Sequence, residues 1–202
     1  MEEERLVEKA GELFIRYGIK SMTMDEISRQ MGISKKTLYQ YVSNKKELVK
    51  KVVEQQVAHE QACICNLFEG DGNAIDNLMQ ITDFVGNQMK ELHPSVIFDL
   101  KKYHFEAWKR LENHKEDFIY RTVKENLEEG IKEGLYRENL NPEIVSRFYL
   151  SMTNMIIDPD QALGNEIPRE SLHKEMMRYH IRGIANSKGR EYLKQKFNHI
   201  HD

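Results

Sequence analysis

The chain has 202 residues, of which 40% are hydrophobic and 31% are charged, with four prolines, two cysteines and a net charge of −3. This balance is typical of a soluble, largely helical globular protein, and it excludes a disordered chain or a disulfide-rich scaffold. The start is acidic and has no apolar stretch of signal-peptide length, and no run approaches the length of a membrane span. We therefore expect a cytoplasmic protein.

The charge is unevenly distributed along the chain. Residues 1–55 hold eleven Lys and Arg against nine Asp and Glu, whereas the remainder holds nineteen against twenty-four. Residues 35 to 51 contain one acid, Glu47, and six lysines: Lys35, Lys36, Lys45, Lys46, Lys50 and Lys51. A negative net charge does not exclude nucleic-acid binding when a cationic patch of this kind is present.

The N-terminal segment predicts two helices in succession. The first is amphipathic, because apolar residues recur at helical spacing: Leu6, Ala10, Leu13, Phe14 and Tyr17. Gly18 is expected to end it in a left-handed conformation. Thr23 and Glu26 form a capping box that begins the second helix, and Gly32 follows where the chain must turn.

A third and a fourth helix follow at once. Ser34 is a cap for the third, and Ile33 and Leu38 stand in the positions of a hydrophobic staple. Asn44 and Glu47 form another capping box, which opens a long fourth helix. Two stapled helices separated by three residues match the helix-turn-helix, whose second helix enters the major groove of DNA.

The rest of the chain also predicts helices. Apolar spacing and glycine or proline boundaries indicate helices over 73–92, after Pro94, over 105–133 up to Gly134, over 142–157, and after Pro168. No segment alternates convincingly as a strand, so the expected fold class is all-α.

Residues 23–48, TMDEISRQMGISKKTLYQYVSNKKEL, resemble the TetR family of bacterial transcriptional regulators. The family pattern combines a Thr-capped helix, a small residue, a glycine turn, a recognition helix with Leu-Tyr, an aromatic pair and a Lys that opens the fourth helix. Those places are held here by Thr23, Ser28, Gly32, Leu38, Tyr39, Tyr41 and Lys45.

The sequence departs from that pattern at three places. Ser28 stands where the family usually has Ala, Val42 where it usually has Phe, and Lys36 where it often has Gly. The first two changes affect packing, whereas Lys36 adds charge and should alter base preference. The resemblance continues more weakly through residues 130–137, ahead of Pro142.

The resemblance implies a domain organisation and a function. Residues 1–46 would form a three-helix DNA-binding domain, and residues 47–202 a helical bundle for ligand binding and dimerisation. It implies a two-fold homodimer and an inner cavity for a small-molecule effector. The expected function is a ligand-responsive repressor on a palindromic operator, with no cofactor, no metal and no membrane partner.

The chemistry of the residues favours the same DNA interface. The exposed side of the third helix carries long hydrogen-bond donors, while Leu38 turns inward. The N-termini of helices offer free N–H groups to phosphates. The predicted DNA contacts are Thr23, Ser34, Lys35, Lys36, Thr37, Tyr39, Gln40, Tyr41 and Lys45.

Apolar and sulfur-containing side chains suggest where an effector and a dimer partner bind. Candidates for lining a cavity are Met79, Met89, Phe98, Tyr103, Trp108 and Met152, although ordinary core packing explains them as well. The helices over 142–157 and 168–186 are expected to form the dimer interface through Met152, Met155, Ile156, Met176, Met177 and Ile184.

Other patterns in the sequence carry less chemistry. His59 and Cys63, with Cys65 nearby, have zinc-ligand spacing but lack a fourth ligand, and Glu170 with His173 is only one of the two pairs that a di-iron bundle needs. No nucleophile elbow, phosphate loop or dinucleotide fingerprint is present. An effector-free architectural DNA-binding protein and a transcriptional activator stay open as alternatives, and an enzyme lacks a catalytic constellation.

Overall fold

The computed structural model describes residues 2–68, 70–157 and 167–196. Its helices are α1 (Glu2–Tyr17), α2 (Met24–Met31), α3 (Lys35–Tyr41), α4 (Lys45–Phe68), α5 (Ala74–Glu91), α6 (Ser95–Tyr103), α7 (Phe105–His114), α8 (Tyr120–Lys132), α9 (Pro142–Ile157), α10 (Arg169–Ile184) and α11 (Ser187–Lys196). Within these ranges the only β pairing is an isolated bridge between Tyr136 and Ala185. The all-α prediction is confirmed.

The chain forms two compact units. Unit 1 comprises residues 1–62 and 91–114, and unit 2 comprises residues 63–90 and 115–202. The sequence predicted a DNA-binding domain over residues 1–46 and a helical bundle over residues 47–202. Residues 1–46 lie within unit 1, which also holds residues 47–62 and 91–114.

Unit 1 is built around the packing of the first four helices. Phe14 of α1, Ile27 of α2, Leu38 of α3 and Leu48 of α4 are all buried. Each lies on the apolar face that its helix periodicity predicts. The short helices α2 and α3 are therefore held by this shared core, because helices of their length are unstable alone.

The start of α6 is fixed against the corner between α1 and α2. The backbone N–H of His93 donates to the carbonyl of Ile15 at 2.7 Å, and that of Lys20 donates to Oδ2 of the buried Asp99 at 2.8 Å. At this corner Gly18 has φ of 83°, and a Cβ placed there would lie 2.6 Å from Oγ of Ser95. Only glycine fits both the backbone conformation and the space.

One long helix was expected over residues 105–133, and this prediction is wrong in detail. A π-helical segment, Lys115–Ile119, separates α7 from α8. The apolar periodicity does not reveal a one-residue expansion of the helical turn, because such insertions shift the pattern only locally. Gly134 ends the segment as predicted, with φ of 69°.

Unit 2 is organised around a fully buried tyrosine. The hydroxyl of Tyr136 donates to Oδ1 of Asn126 at 3.1 Å, and Nδ2 of Asn126 donates to the carbonyl of Ala74 at 2.8 Å. The ring lies against Gly130, where a Cβ would come within 2.1 Å of it. This network joins α5, α8 and the turn after α8 in one core.

Candidate nucleic-acid interface

The helix-turn-helix is formed by α2, a turn at residues 32–34 and α3. Thr23 accepts the N–H of Glu26 at 3.2 Å, and Glu26 accepts the N–H of Thr23 at 2.8 Å, so the predicted capping box is confirmed. Gly32 has φ of 67°, and Oγ of Ser34 accepts the N–H of Thr37 at 3.0 Å. These local interactions fix where α2 ends and α3 begins.

The two faces of α3 differ as predicted. Leu38 is fully buried, whereas Lys35, Lys36, Tyr39 and Gln40 are exposed. Thr37 and Tyr41 are partly exposed. The exposed face therefore presents ammonium, amide and phenol groups, all of which donate hydrogen bonds.

Several of the predicted DNA contacts have hydrogen-bond partners within the protein. The Tyr41 hydroxyl donates to Oε2 of Glu2 at 2.9 Å, and the hydroxyls of Thr37 and Ser34 lie 2.8 Å apart. The hydrogen bond to Glu2 raises the pKa of Tyr41. DNA would have to replace these partners or bind beside them.

Lys45 is less available than its position at the start of α4 suggests. Its Nζ lies 3.4 Å from the carbonyl oxygen of Lys20, and the side chain is half-buried. Burial lowers the pKa of Lys45, while the nearby carboxylates of Asp99 and Glu26 act in the opposite direction. The ammonium group therefore also serves the packing of unit 1.

Intramolecular ion pairs reduce the cationic patch. Lys35 lies 2.7 Å from Asp25, Lys51 lies 2.6 Å from Glu3, and Lys50 lies 3.9 Å from an acid one turn later on α4. In the described ranges neither Lys36 of α3 nor Lys46 of α4 forms an ion pair. Lys46 was not among the predicted contacts, although its place beside Lys45 in the patch marks it as a candidate.

The start of α4 differs from the predicted capping box in one bond. Oδ1 of Asn44 accepts the N–H of Glu47 at 3.0 Å, as expected. The Glu47 carboxylate accepts the N–H of Ser43 at 2.7 Å instead of the N–H of Asn44. This hydrogen bond is the first cause of the lowered pKa of Glu47.

The six candidate effector-lining residues divide between the two units. Phe98, Tyr103 and Trp108 belong to unit 1, where Trp108 is buried while Phe98 and Tyr103 are 41% and 39% exposed. The two exposed rings meet edge to face, with centroids 6.5 Å apart. They form a surface pair within their unit.

The other three candidates, Met79, Met89 and Met152, belong to unit 2. Met79 lines a groove of about 290 Å³ between α5 and α10, and Met152 lines a larger groove of about 660 Å³ between α9 and α10. Met89 packs against the hydrophobic core. These three methionines therefore lie in three different environments.

Most of the residues expected at a dimer interface are buried in the core of unit 2. Ile156, Met176, Met177 and Ile184 are buried within the chain itself, so the excess of apolar residues on these helices is smaller than the sequence suggests. Met155 remains 37% exposed. The side chains that are exposed instead are Ile144, Phe148 and Tyr179.

Metal-ligating side chains and apolar helices are the remaining features of the described part of the chain. No group of three or more His, Cys, Asp or Glu side chains there is arranged to hold a metal ion. None of the helices described is both long and apolar enough to cross a membrane.

Comparison with known proteins agrees with the helix-turn-helix. A family model described as bacterial regulatory proteins of the tetR family matches residues 6–52. The HTH-type transcriptional regulator YvaF of Bacillus subtilis (strain 168) is 29% identical over 167 residues, which cover 82% of this chain and 86% of that protein.

Solved structures share the fold across nearly the whole chain. A transcriptional regulator from Cytophaga hutchinsonii has a TM-score of 0.73 at 17% identity and covers 91% of this chain and 98% of its own. A TetR-family regulator from Agrobacterium tumefaciens has a TM-score of 0.72 at 16% identity, with 92% and 98% covered. A regulator from Saccharomonospora viridis, solved with choline, has a TM-score of 0.73 at 12% identity, with 92% and 98% covered.

Proposed function

Because this chain belongs to the TetR family of bacterial transcriptional regulators, we propose that it is a ligand-responsive repressor that binds a palindromic operator as a homodimer. The observation that carries the proposal is the helix-turn-helix, whose α3 exposes Lys36, Tyr39 and Gln40 on one side and buries Leu38 on the other. A dimer seated on an operator blocks polymerase by occupancy, so repression requires no further activity.

The proposed base-reading residues are those of the exposed face of α3. Lys36 suits the O6 and N7 acceptors of guanine, and Gln40 suits the N6 and N7 pair of adenine. Thr37 and Tyr39 lie beside them with hydroxyl groups. Each bidentate contact of this kind discriminates against a wrong base by about 1 to 3 kcal/mol.

The proposed phosphate contacts surround that face. The N-termini of α2 and α3, capped by Thr23 and Ser34, present backbone N–H groups, and a helix N-terminus favours an anion. Lys35, Tyr41 and Lys45 complete the set. These contacts orient the protein on DNA, whereas the α3 face selects the sequence.

The homodimer is supported by apolar side chains that unit 2 leaves uncovered. On α9, Phe148 is 62% exposed and Ile144 is 49% exposed, and on α10 Tyr179 is 74% exposed. Clustered exposed apolar residues mark interaction surfaces. A two-fold dimer would place its recognition helices about 34 to 36 Å apart, which matches successive major grooves.

An effector would act by changing that separation. A displacement of each DNA-binding part by a few ångströms removes it from register, and α4 is the proposed lever because it begins at the helix-turn-helix and continues for 24 residues. A ligand that favours the non-binding state by about 100-fold would supply about 2.7 kcal/mol.

The test is selection of bound duplexes from a random pool by the full-length protein. The expected product is a palindrome whose half-sites are spaced by one helical turn. Lys36→Ala and Gln40→Ala, examined in parallel, should each change the selected bases, whereas Gln80→Ala on the exposed side of α5 should not. Recovery of no common sequence, or of the same sequence by all variants, would refute the assignment.

A further inference from the structure

A groove in unit 2 lies between α5 and α10 and involves none of the proposed DNA contacts. Nζ of Lys90 lies 2.9 Å from Oε1 of Glu170 at one end, and Met79 and Ile181 line the other end, so the two helices run antiparallel along it. Its volume is about 290 Å³. At about 30 Å³ per water molecule, this volume corresponds to about ten waters, so a small organic molecule fits.

The wall of this groove is partly apolar. Met79, Met177 and Ile181 line it, and each is less than a tenth exposed. Flexible thioethers adapt to the shape of an apolar guest. The groove can therefore bury the hydrocarbon part of a small molecule.

One polar side chain in the groove lacks a partner. His173 is 2% exposed and lines the groove, and its imidazole makes no hydrogen bond with the described part of the chain. Burial lowers the pKa of His173, so the ring is neutral near pH 7 and offers one N–H donor and one acceptor. Buried polar groups are nearly always hydrogen-bonded, so this ring points to a bound partner.

The backbone opposite His173 leaves space for that partner. Gly86 of α5 faces the ring, and a Cβ at this position would lie 3.8 Å from Nδ1 of His173. A longer side chain here would therefore extend into the groove. Gly86 keeps the middle of the groove open.

Among the cations that line the groove, Lys174 is the one beside His173. Four cationic side chains line the groove, Lys90, Lys174, Arg178 and Lys196, together with the acids Asp83 and Glu170. Lys196 pairs with Asp76 at 2.9 Å and Arg178 with Glu175 at 3.8 Å. Lys90 and Glu170 neutralise each other at the end of the groove. Lys174 is exposed and lies one residue from His173, so an ammonium and an imidazole adjoin the same part of the groove.

We propose that the α5–α10 groove binds a small amphipathic carboxylate, with its apolar body against Met79, Met177 and Ile181 and its carboxylate beside His173 and Lys174. The N–H of the neutral His173 donates to one carboxylate oxygen, and Lys174 supplies the charge. Control of DNA binding by this groove rests on the function proposed above, but binding of the carboxylate does not.

The experiment is calorimetric titration of the full-length protein with octanoate, octanol and octylamine, which share one chain and differ in the head group. Octanoate should bind about tenfold more tightly than octanol, because hydrogen bonds to a charged group are stronger than neutral ones. Octylamine should bind more weakly than either. Equal affinity for octanoate and octanol, or no heat of binding at millimolar octanoate, would overturn the proposal.

Variants locate the binding in the groove. Lys174→Gln, at an exposed position, should retain folding and remove the preference for octanoate over octanol. Gly86→Leu should abolish binding of both, whereas Gln88→Leu, on the exposed side of the same helix, should leave both unchanged. His173→Phe should weaken octanoate by about 3- to 10-fold. Equal effects of the two leucine variants would contradict the location.

These results separate the two proposals. A palindromic operator obtained from random duplexes together with no octanoate binding overturns only the carboxylate site. Octanoate binding in the groove together with no selected sequence overturns only the proposed function.

Discussion

Replacing Asp25 with Asn should tighten the binding of DNA. The Asp25 carboxylate holds Nζ of Lys35 at 2.7 Å, and both side chains are exposed at the start of their helices. The capping box of α2 uses Glu26, so the substitution leaves that helix start intact. It removes a negative charge from the proposed DNA face and releases a lysine toward the phosphates.

The size of the effect follows from counterion release. A lysine that neutralises one phosphate contributes about 0.9 to the slope of log affinity against log salt concentration, so two protomers make the slope steeper by about 1.8. The variant should therefore gain about tenfold more affinity at 50 mM than at 200 mM salt. The gain should be similar on the operator and on random duplex, because phosphates carry no sequence information.

Fluorescence anisotropy over a salt series measures both quantities. Glu128→Gln is the matched control, since Glu128 lies 3.8 Å from Lys124 on α8 and its loss also releases a lysine, but in unit 2. The control should leave the slope unchanged. A slope unchanged in Asp25→Asn, or raised equally in the control, would refute the role of the Asp25–Lys35 pair.

Three further predictions concern stability, each measured by urea unfolding. Gly18→Ala should destabilise the protein more than Gly32→Ala by about 1 to 3 kcal/mol, because both have positive φ but only Gly18 meets a side chain of α6; equal losses would contradict this. Tyr136→Phe should cost about 1 to 3 kcal/mol, since it leaves buried Asn126 without its donor, and a neutral result would argue against that network. Burial lowers the pKa of His180 to about 4 in the folded protein, whereas the ordinary value of about 6.5 applies in the unfolded chain. As the pH falls below about 6.5, the unfolded chain therefore takes up this proton before the folded protein does. The free energy of unfolding should then fall by about 1.4 kcal/mol per pH unit down to about pH 4, and His180→Phe should remove that contribution; an identical pH dependence in the variant would refute it.

The helix-turn-helix could be predicted closely because its determinants are local. Thr23 and Glu26 are three residues apart, and so are Ser34 and Thr37, and each pair forms its hydrogen bond within one turn of chain. The positive φ of Gly32 likewise needs only glycine and a helix end. No knowledge of distant packing is required for any of these.

The helical bundle was harder to predict because its apolar residues serve several surfaces at once. Met176 and Met177 lie in the core of unit 2, whereas Tyr179, two residues later on the same helix, is exposed. Composition alone does not assign a side chain to a core, a groove or an interface. The buried His173 shows the same limit, since its neighbour Gly86 comes from a helix far away in sequence.

The charge of the proposed DNA interface is the feature that depends most on tertiary structure. Lys51 pairs with Glu3 and Tyr41 donates to Glu2, because the start of α1 packs beside α3 and α4. A count from the sequence includes every lysine of the patch, but DNA must displace the paired acids before those lysines can contact phosphates. Under the proposed function, DNA phosphates would take the place of these carboxylates beside the lysines. Each lysine would then add less to the affinity for random DNA than the charge of the patch suggests. Sequence-specific contacts of α3 then account for a larger share of operator binding, which raises specificity at the expense of affinity.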